Sequence, residues 1–506
     1  MTSNAGRWQN ILDELARRRD FALSMGGEDR LQRHHGSGKL DARQRIELLF
    51  DPGTFVEIGA FAAGLTEDGD NPAPADGLVA GFGLIDGRPA LAGAEDFTVL
   101  AGSIGDAGAD KRYRLTELAA QERLPLVFML EGAGHRLTNH HAGRGPNDLQ
   151  GLADLSGMVP MVCLVMGPSA GHGALTAPLS DFVVMTEAAS LFTAGPPLVK
   201  AAIGEIVTKE QLGGPHVHVA VSGVAHNLAA DDEAAIAMAR RYLSYFPSNA
   251  WTAPPRLDEA DTEPRRLDDI LSIVDPDPRI PFAMAEVLQL LVDAGSLFAV
   301  QPAFGASLIT ALVRIGGHSV AIVANDPSVR AGAVDSDAAD KAAHFLDVAN
   351  AFHLPVVFLT DTPGVMAGTA AEKSGVLRHA ARMFAAQHRL SVPKLHVTMR
   401  KAFGFGSSIM AMNPFDKQTI SLAFPAITLG AMPAGSGAAA AKLDAAARAK
   451  AEADQAGGAY QIAGKLGYDD IIDPRDLRNA LIHGLGLTEG RRTGAVEPVR
   501  TGGIAP

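Results

Sequence analysis

Two stretches of this chain are one unit written twice. Ala109-Asp110-Lys111 and Ala339-Asp340-Lys341 stand 230 positions apart. Sliding the chain by that offset aligns Ile85 with Ile315, Gly87 with Gly317, Asp96 with Asp326, and Ala101-Gly102 with Ala331-Gly332, without a gap. The match continues through Leu124-Pro125 on Leu354-Pro355, Val127-Phe128 on Val357-Phe358, and Gly134 on Gly364. At an offset of 233 it resumes, with Val159-Pro160 on Val392-Pro393, Met166 on Met399, Gly171 on Gly404 and Gly173 on Gly406. A period this long is a duplicated domain rather than a solenoid repeat.

Each copy has the same rhythm. A strand pair comes first (Gly81–Gly93; Ala311–Ala324), with a tight turn at Asp86-Gly87 or Gly316-Gly317. A helix follows (Ala109–Arg123; Ala339–His353), then a strand that is apolar throughout (Leu126–Leu130; Val356–Leu359), as a strand buried on both faces must be. A second crossover leads to another buried strand (Met161–Met166; Lys394–Met399), which runs into Gly171-His172-Gly173 or Gly404-Phe405-Gly406. This alternation predicts an α/β fold with right-handed crossovers. The Pro-rich, polar stretch Pro247–Arg266 reads as a linker, so the expected domains are 1–250 and 269–506, joined by 251–268. The Ala-rich tail Ala438–Ala456 reads as one exposed or interface helix.

Composition narrows the function. The 506 residues carry a net charge of -13, which argues against non-specific nucleic-acid binding, and an anionic substrate must be met by local positive charge. The one cysteine, Cys163, lies in the apolar run Val162–Val165 and reads as a buried structural thiol. It excludes a disulfide framework and a four-cysteine zinc site. The N-terminal segment has no apolar signal region and carries acids among its arginines, and no apolar run is long enough to span a bilayer. A soluble, cytoplasmic protein is expected.

Chemistry is expected at the two glycine bends. A strand that turns through Gly-x-Gly into a helix presents free amides that can hold a phosphate or an oxyanion. Two such bends at equivalent places point to two carbonyl compounds. No phosphate loop of the Gly-x-x-x-x-Gly-Lys-Ser/Thr type and no Gly-x-Ser-x-Gly elbow is present. His135, His140, His141, His216 and His218 read as solvated loop residues, with no acid or thiol to complete a metal set. Glu131 and Asp361 are repeat-related carboxylates that read as either bases or turn-capping groups.

From about Gly38 to Arg475 the chain resembles the carboxyltransferase (β) subunits of acyl-CoA carboxylases, the group of propionyl-CoA, acetyl-CoA and methylcrotonyl-CoA carboxylases. The stretches that carry the likeness include Gly38–Ile46, Leu49–Phe55, Asp96–Val99, Leu212–Gly214, Val221–Ala225, Asp361–Gly364, Gly368–Ala370, Val392–Lys394 and Arg400–Gly404. The resemblance implies two duplicated crotonase-like (ClpP/crotonase) β-β-α superhelical domains. It implies a hexamer built from dimers, with acyl-CoA on the N-terminal domain and carboxybiotin on the C-terminal domain of another chain. The oxyanion-hole motifs of the family fall on Gly171-His172-Gly173 and Gly404-Phe405-Gly406. Ala133, Gly134, Lys200, Gly364, Arg400, Lys401 and Ser408 are the implied substrate-binding positions.

The implied reaction moves a carboxyl group from carboxybiotin to the α-carbon (or vinylogous γ-carbon) of an acyl-CoA through an enolate, with no metal in this chain and no side chain needed as base. No biotinyl-lysine Met-Lys-Met site or ATP-grasp domain is visible, so the biotin is expected on a separate biotin carboxylase and carrier (α) partner. A decarboxylase or transcarboxylase subunit, an acyl-CoA hydratase or isomerase with Glu131 as base, and a non-catalytic scaffold are the alternatives. The chain departs from the family pattern at His172, where relatives often carry small residues, at the bulky Phe405, and at Ser408, where propionyl-type enzymes carry Asp. The acyl group stays open.

Overall fold

In a computed structural model, the described residues are 4–62, 73–136, 147–257, 261, 265–492, 497–499 and 503–505. His140 and His141 lie outside them. The chain divides into two compact units, Met1–Ser244 and Tyr245–Ala505. Residues 251–268 thus fall in the second unit, where Arg265 donates to Leu290 O at 3.2 Å and Leu267 N to Arg475 O at 2.8 Å.

The first unit holds strands β1 (Val56–Ile58), β2 (Leu78–Ile85), β3 (Arg88–Glu95), β4 (Leu126–Gly132), β5 (Met161–Ala170), β6 (Phe182–Thr186), β7 (Ser190–Phe192) and β8 (Asn227–Ala229). The second holds β9 (Phe298–Val300), β10 (Leu308–Ile315), β11 (His318–Asn325), β12 (Val356–Thr362), β13 (Lys394–Phe403), β14 (Ile420–Ala423), β15 (Thr428–Gly430) and β16 (Asp470–Ile471). Strand for strand the two sheets have one topology. The first runs β1-β2-β3-β4-β5-β6-β8 with β7 beside β5; the second runs β9-β10-β11-β12-β13-β14-β16 with β15 beside β13. The first three strands of each are antiparallel and the rest parallel.

Local sequence explains each part. Asp86 and Gly87 have φ of 50° and 76°, and Gly316 and Gly317 57° and 79°, the left-handed pair that matches strand twist in a two-residue hairpin. A carboxylate caps each turn. Asp51 accepts from the amides of Asp86 and Gly87, and Asp293 from those of Gly316 and Gly317. Strands β4 and β12 are buried at every position, as expected of apolar strands inside the parallel part of a sheet. Phe128, Leu130, Cys163 and Val165 centre one core, and Val357, Leu359, Leu395 and Val397 the other. Each such side chain contributes roughly 1.5–3 kcal/mol by leaving water.

The Ala-Asp-Lys signature is structural. Lys111 reaches back to Ala75 O and Leu78 O, and Lys341 to Gln301 O and Phe304 O, tying each first crossover helix to the chain just before its hairpin. Burial pushes Lys111 down to about 8 and Lys341 down to about 7. The Ala-rich tail is not one helix. It forms Ala434–Ala440 and Ala445–Ala456, because the Asp444 carboxylate accepts from Ala447 N and starts a new helix there.

Candidate functional site

Strands β5 and β13 end at their carboxyl edges in the two glycine bends, the edge where α/β sheets gather ligands. Gly171 (φ 63°) and Gly404 (φ 55°) turn the chain through the left-handed region, where a side chain is strained. In the first unit Gly171 N is already committed to Phe192 O at 3.1 Å, so of the three residues expected there only two offer amides. His172 N donates to no acceptor among the described residues. Gly173 opens a short 3-10 helix, Gly173–Thr176, whose first amides have no intrahelical acceptor. In the second unit Gly404, Phe405 and Gly406 form the first turn of the helix Gly404–Ile409, again with amides that no helical carbonyl can reach.

The loop after β4 or β12 closes against each bend. A methyl on Gly134 would stand 2.7 Å from Ala170 O and 3.7 Å from Gly171 Cα. A methyl on Gly406 would stand 2.5 Å from Gly364 Cα. Gly134 O and Gly364 O accept from Ile104 N and Val334 N, the repeat-related clasp that holds both loops. Ala133 is exposed, with its amide on Ala101 O. The structure therefore brings Ala133 and Gly134 to the first bend and Gly364 to the second.

The remaining expected residues are placed otherwise. Arg400 is buried. Its guanidinium pairs with Asp361 at 2.7 Å, donates to Asp275 O, Asp277 O and Ile280 O, and lies over the Phe282 ring. Lys401 meets the other oxygen of Asp361 at 3.2 Å and Pro278 O at 3.3 Å. Both side chains shape the loop 275–280 from inside. Ser408 is half-buried behind the bend, and its carbonyl accepts from Asn413. Lys200 is exposed on the helix Pro196–Ile203. Phe405 is exposed, with its ring 5.6 Å from that of Phe384 and tilted by 44° to it, so it borders the second bend without filling it.

His172 also turns away from filling its bend. Its Nε2 lies 2.5 Å from Asp148 Oδ1, beside a buried Glu95–Arg112–Asp148 chain. Burial works to raise the Asp148 carboxyl, but the His172 hydrogen bond and the Arg112 charge outweigh it and hold it below the usual carboxylate range. Burial raises Glu95, with Arg112 opposing. His218, expected as solvated, bonds Leu191 O at 2.7 Å and Ser222 Oγ at 2.9 Å. Cys163 is buried and its thiol is pushed well up by burial.

One feature has no motif in the sequence. A cavity of about 620 Å³ in the first unit is lined by Arg30, Arg33, Lys39 and Lys209, with Phe97 and Pro168 as apolar walls. Arg30, Arg33 and Lys39 are near neighbours in the chain, but Phe97, Pro168 and Lys209 come from distant segments, so spacing alone does not mark the cavity. Glu131 lies at its floor, gripped by Lys39 and Arg45 at 2.6 Å each, while Arg45 also holds Asp232 at 2.8 Å. Glu131 is 1% exposed and both its oxygens carry cations, which leaves it a poor base for a thioester. Asp361 is its counterpart in the repeat and is held the same way.

A duplicated α/β chain with a glycine bend closing the same strand of each repeat has the build of a carboxyltransferase. The chain belongs to the carboxyl transferase domain family, whose model matches residues 33–496. It is 34% identical to the carboxyltransferase subunit of propionyl-CoA carboxylase from Haloferax mediterranei, over 96% of this chain and 97% of that one. It is 36% identical to the α subunit of methylmalonyl-CoA decarboxylase from Veillonella parvula, over 92% and 93%. Among solved structures, the transcarboxylase 12S hexamer with methylmalonyl-CoA and methylmalonic acid bound superposes with a TM-score of 0.91 at 33% identity, over the whole of both chains.

Proposed function

We propose that this chain is the carboxyltransferase component of a biotin-dependent acyl-CoA carboxylase, taking acyl-CoA on its first unit and carboxybiotin on its second. One observation carries the reading. The same strand of both repeats, β5 and β13, ends in a glycine bend whose amides lack helical acceptors. Two similar anion holes suit a reaction in which negative charge passes between two carbonyl oxygens, one ureido and one thioester. The repeats are of the crotonase-type superhelix, a reading supported by an antiparallel hairpin followed by parallel crossover strands in each.

The residues then divide the work. Main-chain amides of His172 and Gly173 stabilise the enolate oxygen of the acyl-CoA. Gly404 and Gly406, on both sides of Phe405, let the bend pack against Ala431 O and Gly364, and the amides of its first helical turn suit a ureido carbonyl. Carboxybiotin, carried on a separate partner, supplies the CO2 when it docks. Arg30, Arg33, Lys39 and Lys209 suit the CoA phosphates, meeting an anionic substrate on a chain of net charge -13. Arg400 and Lys401, through Asp361, hold the main chain beneath the second bend. Like transcarboxylase 12S, the chain assembles as a hexamer.

The test mixes the chain with biotin carboxylase and carrier partners, ATP, labelled bicarbonate and a panel of acyl-CoAs. Label fixed into an α-carboxyl product is the expected result. No fixation with any assembled partner removes the reading. Label moving between acyl-CoAs without ATP and bicarbonate marks a transcarboxylase instead, the activity carried by the name of the 12S neighbour.

A further inference from the structure

A second cavity of the first unit, of about 550 Å³, adjoins the one above Glu131 and shares Arg30, Arg33 and Leu100 with it. Most of its remaining wall is the segment Phe21–Asp29, which lies before residue 33, where the family match begins. That segment is pinned to the loop after β3. Gly26 N donates to Thr98 Oγ1 at 3.0 Å, and Arg30 Nη1 donates to Thr98 O at 3.2 Å. A methyl on Gly26 would stand 2.2 Å from Thr98 O, so glycine is required for this approach. The loop itself is strained, with φ of 48°, 54° and 61° in succession at Leu100, Ala101 and Gly102. Non-glycine residues hold that conformation only where their surroundings over-determine it.

The wall common to both cavities is cationic. Arg30 and Arg33 make no ion pair among the described residues; their acceptors are the carbonyls of Thr98 and Asp29. Free guanidinium groups on a chain of net charge -13 suit phosphate. Leu100 N and Ala101 N, on the same loop, donate to no acceptor among the described residues, and successive free amides in a turn favour an anion. On one side of this wall the chemistry changes. Phe21 is an exposed ring, and the Asp29 carboxylate has no partner among the described residues. A ring face stacks on a planar base, and a carboxylate accepts from an exocyclic amine. On the other side the cavity above Glu131 reaches Pro168, three residues before Gly171 on β5 and about 10 Å from it along the strand. The order is therefore ring and carboxylate, cations, apolar walls, glycine bend. Acyl-CoA has the matching order of purine, phosphates, pantetheine arm and thioester.

We propose that the cavity at Phe21–Asp29 is the purine subsite for acyl-CoA. The phosphates lie on Arg30 and Arg33 at the wall between the cavities, and the pantetheine arm runs past Phe97 and Pro168 to the first bend. The inference rests on the carboxyltransferase reading above and deepens it. Phe21 stacks on the adenine, and Asp29 accepts a hydrogen bond from its 6-amino group. The N-terminal segment, outside the family match, thus belongs to the substrate site. Its clasp on Thr98 sets the distance between the base and the bend, so an anchored nucleotide delivers the thioester at a fixed arm's length.

The test titrates the full chain alone with adenosine 3′,5′-bisphosphate, the nucleotide part of CoA, and reads the heat of binding. Saturable binding that excess propionyl-CoA abolishes is expected. Phe21→Ala is expected to weaken it by about tenfold. Inosine 3′,5′-bisphosphate, which has a carbonyl in place of the 6-amino group, is expected to bind about tenfold less tightly than the adenosine form. Asp29→Asn, which offers a donor as well as an acceptor, is expected to bring the two within about twofold, a response that a purely structural role does not give. Both residues are exposed, so neither substitution removes a core contact. No binding by the unaltered chain, an unaltered affinity in Phe21→Ala, or a preference for adenosine that survives Asp29→Asn overturns the proposal. If the assembled enzyme fixes labelled bicarbonate into propionyl-CoA while the chain alone binds no nucleotide, the subsite is wrong and the carboxyltransferase reading stands. Nucleotide binding without fixation keeps the subsite and removes that reading.

Discussion

Alanine at Gly406 and alanine at Gly173 are the same substitution at repeat-related positions, and the structure gives them opposite outcomes. A methyl on Gly406 would sit 2.5 Å from Gly364 Cα and 2.6 Å from Gly364 C. Ordinary contact begins at 3.4 Å, so two backbone segments must part by close to an ångström. Neither can give cheaply, because Gly364 is clasped by Val334 N and Gly406 is in the first turn of a helix. A methyl on Gly173 meets Glu95 Oε1 at 3.2 Å and Ile104 Cδ1 at 3.6 Å, side-chain ends that move by tenths of an ångström. Overpacking of the first kind costs about 1–3 kcal/mol and displaces the bend's amides, which is expected to lower kcat by about 10²-fold. The second is expected to cost less than about 1 kcal/mol and to leave the rate within a few-fold. Labelled-bicarbonate fixation by the assembled enzyme and thermal unfolding of the chain measure both. Equal rates and equal Tm for Gly406→Ala and the unaltered chain would refute the steric reasoning, and the placement of the second bend with it.

Three further outcomes follow from side chains already placed. Lys341, pushed down to about 7, is neutral in the folded chain from there to the ordinary lysine value near 10.5, while the unfolded chain still binds the proton. Its contribution to stability therefore rises with pH across that window, and Lys341→Met should flatten the rise. Parallel denaturation midpoints for the two chains from pH 7 to 10 would disprove it. Arg400→Met removes one of the two cations on buried Asp361 and the donor to three carbonyls. A loss of about 3–5 kcal/mol is expected in denaturant unfolding, and an unchanged midpoint counts against the clamp. Arg33→Ala and Lys209→Ala, in exposed cations of the cavity, should each raise KM for acyl-CoA by up to about fivefold with kcat unchanged, most at low salt. A lowered kcat with unaltered KM would move the CoA phosphates elsewhere.

The sequence by itself determined the duplication, the hairpin turns, the buried strands and the two bends, because each is written in residues that are neighbours along the chain. Asp86-Gly87 and Gly316-Gly317 announce their turns, and Leu126–Leu130 announces a strand with no wet face. A local signal can also be overridden from within. The alanine-rich run Ala438–Ala456 announces one helix, and the cap that Asp444 makes on Ala447 N breaks it in two. The partners of the charges came only from the tertiary structure. Nothing in the order of residues joins Lys39 and Arg45 to Glu131, Arg400 to the carbonyls of 275–280, or His172 to Asp148. Such pairs obey no periodicity; they form because the fold removes water from around them and each buried charge must then find an opposite charge or a donor nearby. For this reason Arg400 and Lys401, marked in the sequence as substrate contacts, are inward clamps, and His172, marked only for its main chain, carries an oriented imidazole.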